Sequence, residues 1–210
     1  MTAPGGVRAE RVVTSGVFTL DGQSFDVDNN VWLYGDEDDV VVVDAAHDAQ
    51  AIASAVGGRN VVAIVCTHGH NDHVNAALEL ATEVDAPVLL HPADRMLWDD
   101  VHDAPPTGEL ADGDVLSVAG VELRVVSTPG HSPGGVCLVG DGLVFSGDTL
   151  FSGGPGATGR SHSHFPTILE SIRERLLVLP PETVVHTGHG DDTAIGVEGA
   201  SYEEWVKRGS

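Results

Sequence analysis

The sequence predicts a mixed α/β fold in which two β-sheets pack inside helices. Three observations predict it. Short β-branched runs alternate with segments of helical spacing, strand-helix-strand order recurs in each half of the chain, and residues 61–65 are apolar throughout, as in a strand covered on both faces. At 210 residues and 41% hydrophobic content the chain can bury one sizeable core, so a single domain over 1–210 is expected.

Taken in order, residues 31–34 and 40–43 flank the acidic turn Gly35-Asp36-Glu37-Asp38-Asp39 and predict a hairpin. A helix over 48–56 opens on the acidic cap Asp48 and stops at Gly57-Gly58. The buried strand 61–65 follows, then a helix over 75–84 in which Ala, Leu and Glu recur at helical spacing, and Pro87 opens a strand at 88–90. Residues 115–118, 121–126, 135–139 and 143–145 read as strands parted by Gly and Asp turns. A helix over 166–177, a strand at 183–186 and a short helical tail at 202–207 complete the chain. Cys66 and Cys137 each sit in an apolar strand-like run outside any CxxC pair, and are expected to be reduced core residues.

Acidic side chains outnumber basic ones 32 to 10, for a formal net charge of −22, and Lys207 is the sole lysine. Such a surface repels phosphate backbones and anionic lipid, which argues against nucleic acid and membranes and leaves a small molecule as the expected partner. Solubility, a salt-adapted host and a GC-rich genome that favours Arg over Lys all account for this composition, and the oligomeric state stays open. Residues 1–13 hold no apolar core of signal-peptide length, and no run approaches the roughly 20 apolar residues of a membrane span, so a cytoplasmic location is expected.

The chemistry concentrates in Cys66-Thr67-His68-Gly69-His70-Asn71-Asp72-His73, the loop leaving the C-terminal end of the strand 61–65. Loops on rigid strands are where reactive groups are usually held. His68 and His70, two residues apart on an extended turn, share one side, and Asp72 and His73 follow where a helix begins. Converging nitrogen and carboxylate donors suit a divalent metal such as zinc or iron. Three further strand ends supply the same donor types: His131 after Thr128-Pro129-Gly130, Asp148 after Ser146-Gly147, and His189 between Gly188 and Gly190. Glycine beside each lets backbone approach closely.

His68-Gly69-His70-Asn71-Asp72-His73, followed in order by His131, Asp148 and His189 and preceded by Asp44 at the end of the strand 40–43, resembles the motif series of the metallo-β-lactamase-fold hydrolases. The resemblance runs from about residue 18 to 189. It implies an αβ/βα four-layer sandwich with a two-metal site at one edge of both sheets. His68, His70 and His131 would hold one divalent ion, Asp72, His73 and His189 the second, and Asp148 would bridge them. Zinc is the first choice, with iron or manganese as alternatives. Asp72 and Asp148 would be the catalytic carboxylates, and Asp44 would orient ligands from outside. Within the family, lactamases sharing the HxHxDH motif carry cysteine in place of Asp148, diiron flavoproteins replace His70 by glutamate, and the RNA-processing branch adds a basic arm. These differences set those branches aside. GHSPGGVCL, VFSGDTLFSGG and VVHTGHG are similar to the strand ends of the glyoxalase II group.

Two departures from that group matter. Glyoxalase II proper binds glutathione through a C-terminal helical domain, whereas about twenty residues follow His189 here. The group's GGxGR segment is stretched into Gly153-Gly154-Pro155-Gly156-Ala157-Thr158-Gly159-Arg160, followed by Ser161-His162-Ser163-His164. The substrate is therefore expected to differ from lactoylglutathione, with mycothiol a candidate thiol. Arg160 is placed either in a surface ion pair or against a substrate carboxylate, His47 either along the site or in solvent, and His162 and His164 in the loop rather than among the ligands. Two metals about 3.5–4 Å apart can share a water and aim the resulting hydroxide at a carbonyl carbon. With no general acid in view, a thiolate of pKa about 8.5 leaves more readily than an amide nitrogen. Hydrolysis of a thioester of a low-molecular-weight thiol by a metal-bridging hydroxide is the first reading. A mononuclear iron persulfide dioxygenase held by His68, His131 and Asp148 is the second; lactone or phosphodiester hydrolysis, and a non-catalytic metal-binding role, follow.

Overall fold

Val40 and Val42 bury against helices while Val41 and Val43 bury against a second sheet, because successive side chains of a strand point to opposite faces. That division organises the whole molecule, described in this computed structural model over residues 6–209. The first sheet holds, in spatial order, β1 (Arg8–Leu20), β2 (Gln23–Gly35), β3 (Asp39–Val43), β4 (Asn60–Val65), β5 (Val88–Leu90) and β6 (Gly108–Glu109). Its first three strands pair antiparallel and the rest parallel. Helices α1 (Ala49–Val56), α2 (Asn71–Val74), α3 (Ala77–Val84) and α4 (Arg95–Asp99) cover its outer face, where Ile52, Leu80 and Trp98 pack on Leu33 and Ile64.

The second sheet is built from β7 (Val115–Val118), β8 (Val121–Ser127), β9 (Val136–Gly140) and β10 (Leu143–Gly147). A separate small hairpin, β11 (Leu150–Phe151) with β12 (Gly154–Pro155), precedes β13 (Val184–Thr187) and β14 (Thr193–Ala194), which complete the sheet beside β10. Val125, Leu138 and Phe145 meet Trp32, Tyr34 and Val65 between the sheets. On the far side α5 (Phe165–Ser171), which continues as a π-helical turn over Ile172–Leu176, packs with α6 (Ile195–Gly199) and α7 (Tyr202–Arg208) through Ile168, Ile172, Ile195 and Trp205. The result is the αβ/βα sandwich. Cys66 lies in the outer core of one sheet and Cys137 in that of the other, and both are free. Among the described residues no helix is long and apolar enough to cross a membrane.

The caps follow from chemistry. The carboxylate of Asp48 accepts from Ala51 N at 2.9 Å, and Gly57 ends α1 at φ +68°. Three parts of the fold differ from expectation. The predicted helix over 75–84 breaks at 75–76, so that Ala76 N donates to Ala45 O and the Asn75 side chain is released for other partners. The helix α4 and the short strands β6, β11, β12 and β14 carry too few residues for a period to register. Above all, β1 and the first half of β2 form a long hairpin ahead of the predicted strand 31–34. Its turn is Asp21-Gly22, with φ +52° and +72°, the left-handed pair that a two-residue hairpin requires.

Candidate metal centre

Each ligand-type residue sits just beyond a strand end: Asp44 after β3, His68 to His73 after β4, His131 after β8, Asp148 after β10 and His189 after β13. Those ends meet at one edge of the sandwich. One ligand atom each from His68, His70 and His131 lies within 4.8 Å of the others, and the same holds for Asp72, His73 and His189. Asp148 stands between the two groups. Its carboxylate oxygens are 3.5 Å from His131 Nε2 on one side, and 3.3 and 3.5 Å from His73 and His189 Nε2 on the other.

The histidines are held by their outward nitrogens. His131 Nδ1 donates to Ala157 O and His189 Nδ1 to Asp28 O, both at 2.7 Å; a carbonyl only accepts, so these nitrogens carry the hydrogens. His73 Nδ1 lies 3.0 Å from Asp44 Oδ2. Thr67 Oγ1 donates to the same oxygen at 2.7 Å and so accepts from His68 Nδ1 at 3.1 Å. In the neutral tautomers this leaves an Nε2 lone pair facing inward on all four rings. His70 is turned the other way, with Nδ1 3.0 Å from His131 Nε2 and its ring edge-on to Phe18. Asp44 also forms a third group with His68 and His73, but its oxygens already accept from Thr67 N, Thr67 Oγ1 and His73.

Electrostatics separates the groups. Burial, joined by neighbouring histidines, lowers His70 to about 3 and His68 well below the usual imidazole range. Burial also opposes charge on His73 and His189, yet Asp148 and Asp72 overcome it, holding His73 well above that range and His189 at about 10. In return, and against its own burial, Asp72 falls to about 2, chiefly through His73; Asp148 is likewise lowered by His73 and His189. His68 Nε2, His70 Nε2, Asp72 Oδ1 and Asp148 Oδ1 are nonetheless buried without a hydrogen-bond partner. An unpaired buried polar atom costs about 1–3 kcal/mol. A cluster of them, all nitrogen or carboxylate oxygen, fits divalent cations of the zinc, iron and manganese type.

Three positioning residues escape the motifs. Asn29, fully buried, donates to Asp72 Oδ2 at 3.1 Å and accepts from His47 Nε2 at 2.9 Å. His47 Nδ1 in turn accepts from Asn75 Nδ2 at 3.0 Å. His47 stands half-buried behind Asn29. Asn30 donates to the carbonyls of Thr187 and Gly190, fixing the His189 loop. Asp94 accepts from Gly69 N at 2.8 Å and Ser132 Oγ at 2.6 Å, tying the His68–His70 loop to the His131 loop. The one signal for Asn29-Asn30 is a polar pair directly ahead of the apolar run 31–34.

A cavity of about 120 Å³ opens onto the centre between Phe18, Leu20 and Val27 of the long hairpin and Ala157 and Arg160 of the stretched loop. His162 and His164 are exposed and apart from both ligand groups.

Residues 25–189 match the Metallo-beta-lactamase superfamily. A hydroxyacylglutathione hydrolase of Xanthomonas campestris is 36% identical over 164 residues, covering 77% of this chain and 61% of that protein. Among solved structures, BLEG-1 B3 metallo-beta-lactamase superposes with a TM-score of 0.79 at 27% identity, over 92% of this chain and 100% of that one. The di-iron-bound form of TTHA1623 gives a TM-score of 0.73 at 33% identity, over 82% and 93%.

Proposed function

Because the chain belongs to the metallo-beta-lactamase superfamily, we propose that it is a binuclear metallohydrolase cleaving a thioester of a low-molecular-weight thiol. In this reading His68, His70 and His131 would hold one ion, Asp72, His73 and His189 would hold the other, and Asp148 would serve both. The observation that carries it is the position of Asp148 within 3.5 Å of histidines from both groups. Two divalent ions bound there would supply Lewis acidity, which lowers the pKa of water toward neutrality and polarises a carbonyl. The protein's part is to hold four Nε2 lone pairs and two carboxylates at one point, and to keep Asp72 in place through Asn29 and His47.

The leaving group follows from the mouth. Outside the ligands, its side chains are Phe18, Leu20, Val27, Ala157, Arg160, Ser161 and Ser163. Ser161 Oγ is spent on Asp21 and Ser163 Oγ on the Arg160 carbonyl, and a guanidinium does not give up its proton near neutrality. Among the described residues that line this mouth outside the ligand set, none is a free proton donor for a strongly basic leaving group, whereas a thiolate needs none. The Xanthomonas relative, named for hydrolysis of hydroxyacylglutathione, supports the thioester; the chain spans about 61% of its length, so glutathione itself stays a candidate beside mycothiol. The B3 lactamase likeness favours a second reading, β-lactam hydrolysis, against which the missing proton donor counts. A panel of acyl thioesters of glutathione and mycothiol, a β-lactam, a lactone and a phosphodiester tests this, with oxygen uptake on a persulfide followed separately. Thioesters are expected to be fastest. Faster cleavage of the lactam, lactone or phosphodiester refutes the leaving-group argument, and oxygen uptake replaces hydrolysis with persulfide oxidation.

A further inference from the structure

The long β1–β2 hairpin is a fixed wall over the metal centre. Asn71, inside the histidine motif, accepts from Thr19 N and donates to Val17 O, both at 2.8 Å, and Asp21 at the turn accepts from Ser161 N at 3.1 Å and Ser161 Oγ at 2.6 Å. Between hairpin and loop lies Arg160. Its Cζ is 5.4 Å from the Phe18 ring centroid and 4.7 Å from that of Phe25, and its Nη1 is buried without a hydrogen-bond partner.

Among the described residues, every other arginine except Arg208 donates to a carboxylate or a backbone carbonyl. In a chain with 32 acidic side chains, the guanidinium of Arg160 pairs with none. Asp21, the hairpin-turn carboxylate on which the Arg160 charge acts, has both oxygens taken by Ser161. Aromatic faces stabilise a cation but accept no in-plane hydrogen bond. The planar fork is therefore oriented, and its donors are unspent at the mouth of the cavity that opens onto the metal centre, beside Phe18, Leu20, Val27 and Ala157. A carboxylate is the group that matches such a fork with two parallel hydrogen bonds.

We infer that Arg160 anchors a carboxylate of the substrate, carried either by the acyl group or by the thiol, and so selects anionic over neutral thioesters. This rests on the thioester reading above. The test uses the zinc-loaded protein and measures binding by calorimetry. Glutarate against butyrate probes the acyl side, and 3-mercaptopropionate against 2-mercaptoethanol probes the thiol side. Wild type is expected to bind the member with the extra carboxylate at least tenfold more tightly in one of the two pairs, and the pair identifies the side. Arg160→Met should remove that difference with zinc content unchanged. Arg160→Lys, which keeps the charge without the fork, should retain part of it and stands in if the Met variant does not fold. Equal binding within both pairs in wild type, or a difference that survives the substitution, overturns the inference. Hydrolysis of thioesters without such discrimination leaves the thioesterase and removes the subsite; discrimination without thioester hydrolysis does the reverse.

Discussion

At the residue scale, the centre depends on side chains outside the ligand set. Asn29 is the clearest, since it links His47 to Asp72 and lies 3.3 Å from His73 Nε2. Asn29→Ala is expected to cost about 10–100-fold in metal affinity or activity, the usual effect of losing an outer partner, with little change in Tm of the zinc form. Titration gives a second expectation, for the metal-free protein. His73 and His189 are raised, His189 to about 10, so their contribution to stability is full below the ordinary value of 6.5 and is lost as pH rises toward 10. His68 and His70 are lowered and must charge on unfolding, so theirs is lost as pH falls below 6.5. Metal-free Tm should therefore peak near pH 6.5, and zinc uptake at pH 8 should release protons from His73 and His189, read with an indicator in weak buffer. Zinc uptake without proton release contradicts this. The inner ligands were legible in the sequence because most crowd into one short loop or follow Gly at strand ends. Asn29 and Asp94 were not, because their partners lie 43 and 25 residues away and no local spacing marks them.

At the element scale, the loops are set by close backbone approach. Gly156 N donates to Thr149 O at 3.2 Å, and a Cβ on Gly156 would overlap the carbonyl oxygen of Asp148. Gly156→Ala should displace Asp148 and lower metal occupancy, measured by elemental analysis, while Asp48→Ala, which removes only the α1 cap, should cost about 1 kcal/mol in stability with metal retained. Equal metal content in the two variants would contradict the assignment. β3, β4 and α1 could be read from sequence because each pairs an apolar run or period with a turn or cap. The β1–β2 hairpin could not be read from hydrophobicity: half of β2 and much of β1 are exposed or half-buried. Its only mark was Asp21-Gly22.

At the scale of the whole molecule, a net charge of −22 acts against compaction, and added salt screens it; the Debye length falls from about 10 Å at 0.1 M to about 3 Å at 1 M. Tm should rise with sodium chloride over that range, and a flat or falling Tm would show that self-repulsion is not limiting. The fold itself depends on three apolar layers, two outside the sheets and one between, which bring five strand ends to one edge. The account turns on Asp148 as the side chain that two ions share. Elemental analysis of wild type and Asp148→Ala after reconstitution with excess zinc tests it most directly. Wild type should hold two ions per chain and the variant markedly fewer, with turnover abolished and His162→Ala, outside both groups, unchanged. One ion per wild-type chain in excess metal, or two in Asp148→Ala, would contradict it.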